Sequence, residues 1–197
     1  MTRRRLAFYS LIFAVGMTSA APRGVAQSDP VAFINQLGVQ AIQVLGPTVP
    51  MSQRVQRFHE LFGSYFDLPG IAQFTLGRYW RVATPDEQQQ YLKLLQDYLA
   101  QAYAGRLAQY AGEKFAATGS QQQGDQTVVL SEITRNDGGK IHVEWRLVNQ
   151  GGWKITDAYV AGVSMAITQR DEFASVIQQG GGKIQYLLDR IRQKVAG

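Results

Sequence analysis

The chain has 197 residues, 20 Lys and Arg against 15 Asp and Glu, no Cys, and a formal net charge of +5. Its 45% hydrophobic and 18% charged content is that of an ordinary globular protein, which excludes a disordered chain, a collagen-like repeat and a disulfide scaffold. The absence of Cys excludes thiol nucleophiles, Cys-ligated zinc, iron–sulfur clusters and a cysteine-anchored lipoprotein, while the positive charge invites a nucleic-acid or anionic-membrane reading until its location is known.

Much of that charge lies at the start. Residues 1–26 read as an export signal: Arg3, Arg4 and Arg5 precede an apolar run from Leu6 to Met17, and small residues follow around Ala20 and Ala26. The run is short for a membrane span, and a retained anchor is the alternative. The arginines suit a general secretory signal or a twin-arginine one. Four Arg and no acidic residue fall in this segment, which leaves 16 basic and 15 acidic residues in 27–197. The remainder is nearly neutral and reads as one domain outside the cytoplasm.

The first half of that domain has helical periodicity. Val31, Ile34, Leu37 and Ala41 recur at helical spacing up to Gly46-Pro47. Ser52 is positioned to cap a second helix carrying Phe58, Leu61, Phe62 and Tyr65. A short segment from Pro69 to Trp80 follows. Thr84, Pro85 and Glu87 then form a capping box for a helix from Pro85 to about Tyr110. The second half changes to strand period. Thr127 to Arg135, Lys140 to Asn149 and Trp153 to Val160 read as an antiparallel meander joined at Asn136–Gly139 and Gln150–Gly152. In the middle strand Ile141, Val143, Trp145 and Leu147 face one way, and His142, Glu144 and Arg146 the other. Two helical stretches flank Gly180-Gly181-Gly182, which reads as their joint. Helices, a meander and more helices make an α+β domain.

The chemistry-bearing residues are sparse. His59 begins His59-Glu60-Leu61-Phe62-Gly63, and Gly63 stands where a metalloprotease helix needs its second His. His142 falls on the polar strand face. Neither a metal site nor a cofactor is expected. Gly181-Gly182-Lys183 lacks the Ser or Thr and the preceding strand of a phosphate loop, and no Gly-x-Ser-x-Gly elbow is present. Asp86-Glu87 and Asp171-Glu172 fit first turns of helices. Asp157 reads either as a general base in a pocket or as a structural partner within the sheet. Arg78-Tyr79-Trp80-Arg81 mixes cations with aromatics, but two isolated Arg are a thin footprint for nucleic acid. No nucleic-acid partner is expected.

The ordered segments Phe66-Asp67, Ile71-Ala72, Leu76-Gly77-Arg78-Tyr79-Trp80, Thr84-Pro85-Asp86-Glu87-Gln88, Trp153-Lys154-Ile155-Thr156-Asp157, Gly162-Val163-Ser164 and Arg170-Asp171-Glu172-Phe173 resemble the MlaC or toluene-tolerance family of periplasmic phospholipid-binding proteins, with its hopanoid-associated HpnM-type relatives. The resemblance implies an NTF2-like fold, a curved antiparallel sheet covered by helices that enclose an apolar pocket. It implies a non-enzymatic periplasmic carrier of phospholipid or hopanoid. Its implied partners are an inner-membrane Mce-type ABC transporter complex and an outer-membrane lipoprotein complex. The sequence departs from the family pattern at Tyr159-Val160-Ala161-Gly162 and at the glycine triplet.

A cavity suits such a ligand. Each buried methylene contributes about 0.8 kcal/mol, so a sixteen-carbon chain contributes roughly 12 kcal/mol, and shape and apolarity matter more than placed charges. The residues expected to bind lipid are Phe66, Ile71, Phe74, Leu76 and Trp80 from the motif segment, and Leu95, Leu99, Ala102 and Tyr103 from the long helix. Val143, Trp145 and Leu147 are expected from the middle strand, and Ile155, Val163 and Met165 from the last strand region. Arg78 and Arg81 are candidates for the pocket mouth or a partner surface. Two rivals stand beside this reading: an exported NTF2-like enzyme using Asp157 with a Tyr such as Tyr103 or Tyr159, and an envelope adaptor with a filled core.

Overall fold

The computed structural model describes residues 29–45, 48–107 and 113–196. The expected export segment, Gly46-Pro47 and the last residues of the long helix, 108–110, lie outside the described residues.

Helix α1 spans Pro30–Leu45. Its Pro suits the first helical position, and Asp29 Oδ1 accepts a hydrogen bond from Val31 N at 3.0 Å. Helix α2 spans Met51–Tyr65 with Pro50 at its N-cap and no side-chain cap. Ser52 is therefore inside the helix rather than its cap, because the rigid Pro50 starts the helix two residues earlier than expected. Asp67 caps α3, Leu68–Leu76, by accepting from Gly70 N at 3.2 Å. Gly77, at φ 57°, ends it and leads into a single 3-10 turn, Gly77–Arg81. Helix α4, Pro85–Leu107, starts as expected. Glu87 N donates to Thr84 Oγ1 at 3.2 Å, and Thr84 N donates to Glu87 Oε2 at 2.8 Å.

The sheet is antiparallel, with strands in the order β1-β2-β3-β4-β5: Lys114–Gln123, Gln126–Thr134, Lys140–Asn149, Trp153–Val160 and Val163–Ser164. The three expected strands form its centre, and two more flank them. Strand β1 (KFAATGSQQQ) has few β-branched or aromatic residues and little amphipathic signal. It is held by pairing with β2 and by Asn35 of α1, whose Oδ1 accepts from Ala117 N at 2.8 Å. Each of two bulges inserts an extra residue, Thr118 in β1 and Thr156 in β4, and such insertions bend and twist a sheet. A tight turn at Ala161-Gly162, with φ 50° and 82°, joins β4 to β5.

Helix α5, Met165–Gln179, opens where Ser164 Oγ accepts from Ile167 N at 3.0 Å. Met165 is thus the first residue of a helix and not part of a strand. Asp171 and Glu172 fall in mid-helix rather than a first turn, since Ser164 places the start earlier. Gly180, Gly181 and Gly182 do form the joint to α6, Ile184–Ala196. A Cβ on Gly180 would lie 2.4 Å from the Tyr186 side chain, and Gly182 N donates to Ile177 O at 2.9 Å.

Two apolar clusters result. One joins α3 to α6 around Leu76, Tyr91, Phe173, Ile177, Leu187, Leu188 and Ile191. The other joins α1 to the sheet through Ile34, Leu37, Val129, Leu147, Trp153 and Ile155. Phe66 packs against both. The architecture is the expected α+β one, an open five-stranded sheet with helices against it, and is consistent with an NTF2-like fold. No helix among the described residues is long and apolar enough to cross a membrane.

Candidate functional site

Between the two clusters lies a cavity of about 470 Å³. The sheet supplies its floor: Phe115 from β1, Ile133 from β2, Ile141, Val143 and Trp145 from β3, and Ala158 and Val160 from β4. These β3 residues alternate as the sequence predicts. On β4 the bulge at Thr156 changes the phase. Ile155 points into the α1 cluster, whereas Ala158 and Val160 beyond the bulge reach the cavity. The helices supply the rest through Leu37, Gly38, Ala41 and Ile42 of α1, Phe58, Leu61 and Phe62 of α2, and Leu95, Leu99 and Tyr103 of α4. Ile71, Thr75, Met165, Ala166 and Gln169 close the side toward α3 and α5. Gly38 is required where it stands, because a Cβ there would lie 2.2 Å from the Phe115 ring.

The few polar groups on this wall are mostly turned into the protein. Thr75 Oγ1 donates to Ile71 O at 2.8 Å and shares a 2.8 Å hydrogen bond with the Tyr91 hydroxyl. Burial pushes the Tyr91 phenol well above its ordinary range, and the Thr75 bond opposes this only weakly. Trp145 Nε1 donates to Ser131 Oγ at 2.8 Å, and Thr156 Oγ1 donates to Arg146 O at 3.2 Å. Gln169 Nε2 donates to Glu172 Oε2 at 3.3 Å. Asp157 is fully engaged: Oδ1 accepts from Ala158 N at 2.8 Å and Ala166 N at 2.9 Å, and Oδ2 accepts from Ser164 Oγ at 2.5 Å. It ties β4 to the start of α5, the structural role weighed in the sequence. Tyr159 is not on the cavity wall, and the Arg146 guanidinium covers its ring at 4.8 Å. The other candidates for chemistry are also accounted for. His59 Nε2 lies 3.2 Å from Asp97 Oδ1, and His142 is exposed beside Glu132.

The family model described as "MlaC protein" matches residues 45–193. The chain belongs to the MlaC family. Among curated relatives, the toluene tolerance protein ttg2D of Pseudomonas putida is 27% identical over 141 residues, 70% of this chain and 66% of that protein. The intermembrane phospholipid transport system binding protein MlaC of Haemophilus influenzae is 24% identical over 138 residues, 67% of this chain and 64% of that protein. The alignments thus span slightly less than two thirds of these relatives. A solved structure, the phospholipid-binding protein from Ralstonia solanacearum in complex with a phospholipid, superposes with a TM-score of 0.72 at 24% identity. That match covers 86% of this chain and 98% of the other, and it establishes the shared fold. The α1 part of the cavity wall, Leu37 to Ile42, precedes the residues that the MlaC model matches.

Of the residues singled out in the sequence of this MlaC-family chain, Phe66, Ile71, Leu95, Leu99, Tyr103, Val143, Trp145 and Met165 reach the cavity wall. Seven do not. Leu76, Leu147 and Ile155 are buried in the filled clusters. Trp80 packs against the helical cluster, and its carbonyl accepts from Gln88 Nε2 at 2.9 Å. Ala102 is half-buried off the cavity. Phe74 is 41% exposed beneath the Arg170 guanidinium, and Val163 is 54% exposed on the short edge strand. Periodicity marks which face of an element is apolar, and these residues show that it does not mark where the space behind that face is empty. Arg78 and Arg81 are also away from the cavity. Arg78 donates to the Tyr79 hydroxyl at 2.9 Å, and Arg81 is exposed. The wall residues not singled out in the sequence include Phe115 of β1, Ala158 and Gln169, and Glu113, a carboxylate where β1 begins. Its neighbours in sequence gave no signal, because β1 itself was not legible.

Proposed function

We propose that this chain is a non-enzymatic phospholipid carrier that takes acyl chains into the cavity between its helices and sheet. The observation that carries this reading is the cavity itself. It is about 470 Å³, within the range of small-molecule sites, and is walled by Leu, Ile, Val, Phe, Met, Tyr and Trp side chains. Burial of acyl methylenes supplies the affinity, and such a wall makes no demand on a catalytic group. Asp157, the one candidate base, already accepts three hydrogen bonds that hold β4 to α5. The relatives named for phospholipid transport and phospholipid binding support the same reading.

In this proposal residues 1–26 direct export and the remainder works in the periplasm. It receives lipid from one membrane complex and delivers it to another: an outer-membrane lipoprotein complex on one side and an inner-membrane Mce-type ABC transporter on the other. Lipid analysis of the purified native protein tests the reading. Co-purified phospholipid is expected, and hopanoid in its place would change the cargo. Protein that emerges empty and takes up nothing from vesicles would overturn the proposal in favour of the adaptor.

A further inference from the structure

The polar groups on the cavity wall have protein partners at the closed side, and Glu113 differs from them. Its side chain is only 10% exposed. Oε1 lies 4.0 Å from Arg135 Nε, beyond hydrogen-bond length, and Oε2 is buried without a hydrogen-bond partner. A buried carboxylate oxygen left unpaired is costly, and this one lies on the wall of an apolar cavity. Its position is at the solvent end. Glu113 immediately precedes Lys114, which pairs with Thr134 beside the exposed Arg135–Gly139 turn. The half-buried Ile133 and Ile141 pair next to that turn. The opposite wall, with Ile71, Thr75, Ala166 and Gln169, is buried.

We propose that Glu113 reads the lipid headgroup, accepting a hydrogen bond from a primary ammonium such as that of phosphatidylethanolamine. This rests on the phospholipid reading above. A lipid whose chains fill the cavity leaves its polar end at the solvent side, where Oε2 needs a proton donor. An ammonium supplies both the donor and the opposite charge, and bonds of that kind are the strong ones. A choline headgroup has no N–H to donate. A glycerol headgroup has hydroxyls, but brings its phosphate charge toward Glu113 with no cation of its own. Arg135, 51% exposed and 3.2 Å from Asp137, lies 4.0 Å from Glu113 Oε1 and supplies a cation for the phosphate of the same headgroup.

The experiment loads delipidated protein from vesicles containing equal phosphatidylethanolamine, phosphatidylglycerol and phosphatidylcholine with identical acyl chains, and reads the bound lipids by mass spectrometry. Wild type should be enriched in phosphatidylethanolamine by roughly fivefold over each competitor, a modest effect because the ammonium gives up its water to reach Glu113. Glu113→Gln keeps the size and one acceptor but loses the charge, and should lower the enrichment. Glu113→Leu should abolish it, so that the three lipids load in proportion to their share of the vesicle. Equal loading of the three lipids by wild type, a preference for phosphatidylglycerol, or an enrichment that survives in both variants would overturn the assignment. No loading of any lipid by wild type would instead overturn the carrier reading on which it rests.

Discussion

Helix α4 has two different interiors along its length. Near its start, Tyr91 lies edge-on to Phe173 with ring centroids 5.9 Å apart, inside the cluster completed by Leu187, Leu188 and Ile191. Near its end, Leu99 and Tyr103 face the cavity, across which lie Val143 and Trp145 of the sheet. The residue types in the two places are the same. What differs is the second layer: α3, α5 and α6 close over the first half, whereas the bent sheet opposite the second half stays away from the helix. An interior can thus be kept hollow by the backbone around it, with no change in side-chain chemistry.

The largest expected effect sharpens that contrast. Leu188→Ala should cost about 2–5 kcal/mol, because it opens a cavity in a filled core. Leu99→Ala removes the same atoms from a wall that already borders empty space, loses fewer contacts, and should fall at the bottom of that range or below it. Urea unfolding of both variants measures the difference, and equal costs would mean that the hollow is not present in solution. The converse change is Ala158→Phe, which builds a ring from the floor into the cavity. Stability should shift by no more than about 1–3 kcal/mol, the ordinary cost of added volume, while lipid loading from vesicles drops severalfold. Unchanged loading would show that acyl chains lie elsewhere.

A pH titration isolates the filled side. The buried Tyr91 phenol has its pKa raised by desolvation, so the folded state holds its proton at a pH where the unfolded state, near the ordinary value of 10.0, has released it. Stability from this group is therefore complete below pH 10 and declines above it, by up to about tenfold in the folding constant per pH unit. Tyr91→Phe should be shallower than wild type on that alkaline limb. Parallel curves for the two proteins would show that Tyr91 is not sealed from water.

Sequence reading succeeded where the information is local. Thr84 and Glu87 satisfy each other across three residues, and the Ile141 to Leu147 alternation needs only its own strand to be recognised. It failed where one element depends on another. Strand β1 exists through pairing with β2 and Asn35. The extra residue at Thr156 brings Ala158 onto the sheet face that Ile155 occupies, opposite Trp145 and Leu147. Val163 and Met165 are expected together in the last strand region, but Ser164 starts a helix between them. Half of the intended lining residues reached the cavity because an apolar stripe is the same stripe whether it backs onto a core or a void. Glu113 was illegible for the related reason that its significance is a missing partner, which no sequence displays.

The smallest expected effect asks whether the two ends of α4 are independent. Thr84→Ala removes the hydroxyl that accepts from Glu87 N and should cost about 1 kcal/mol, read as a shift in the urea midpoint with unchanged slope. The damage lies at the filled end, two turns before Tyr91 and about four turns before Leu99. If the packing of Tyr91 against Phe173 and Leu188 holds the helix in place, fraying of the first turn stops there, and lipid loading matches wild type. A loading defect as large as that of Ala158→Phe would mean that α4 moves as a rigid rod whose seating at one end sets the width of the cavity at the other. The filled core would then govern the hollow rather than simply adjoin it.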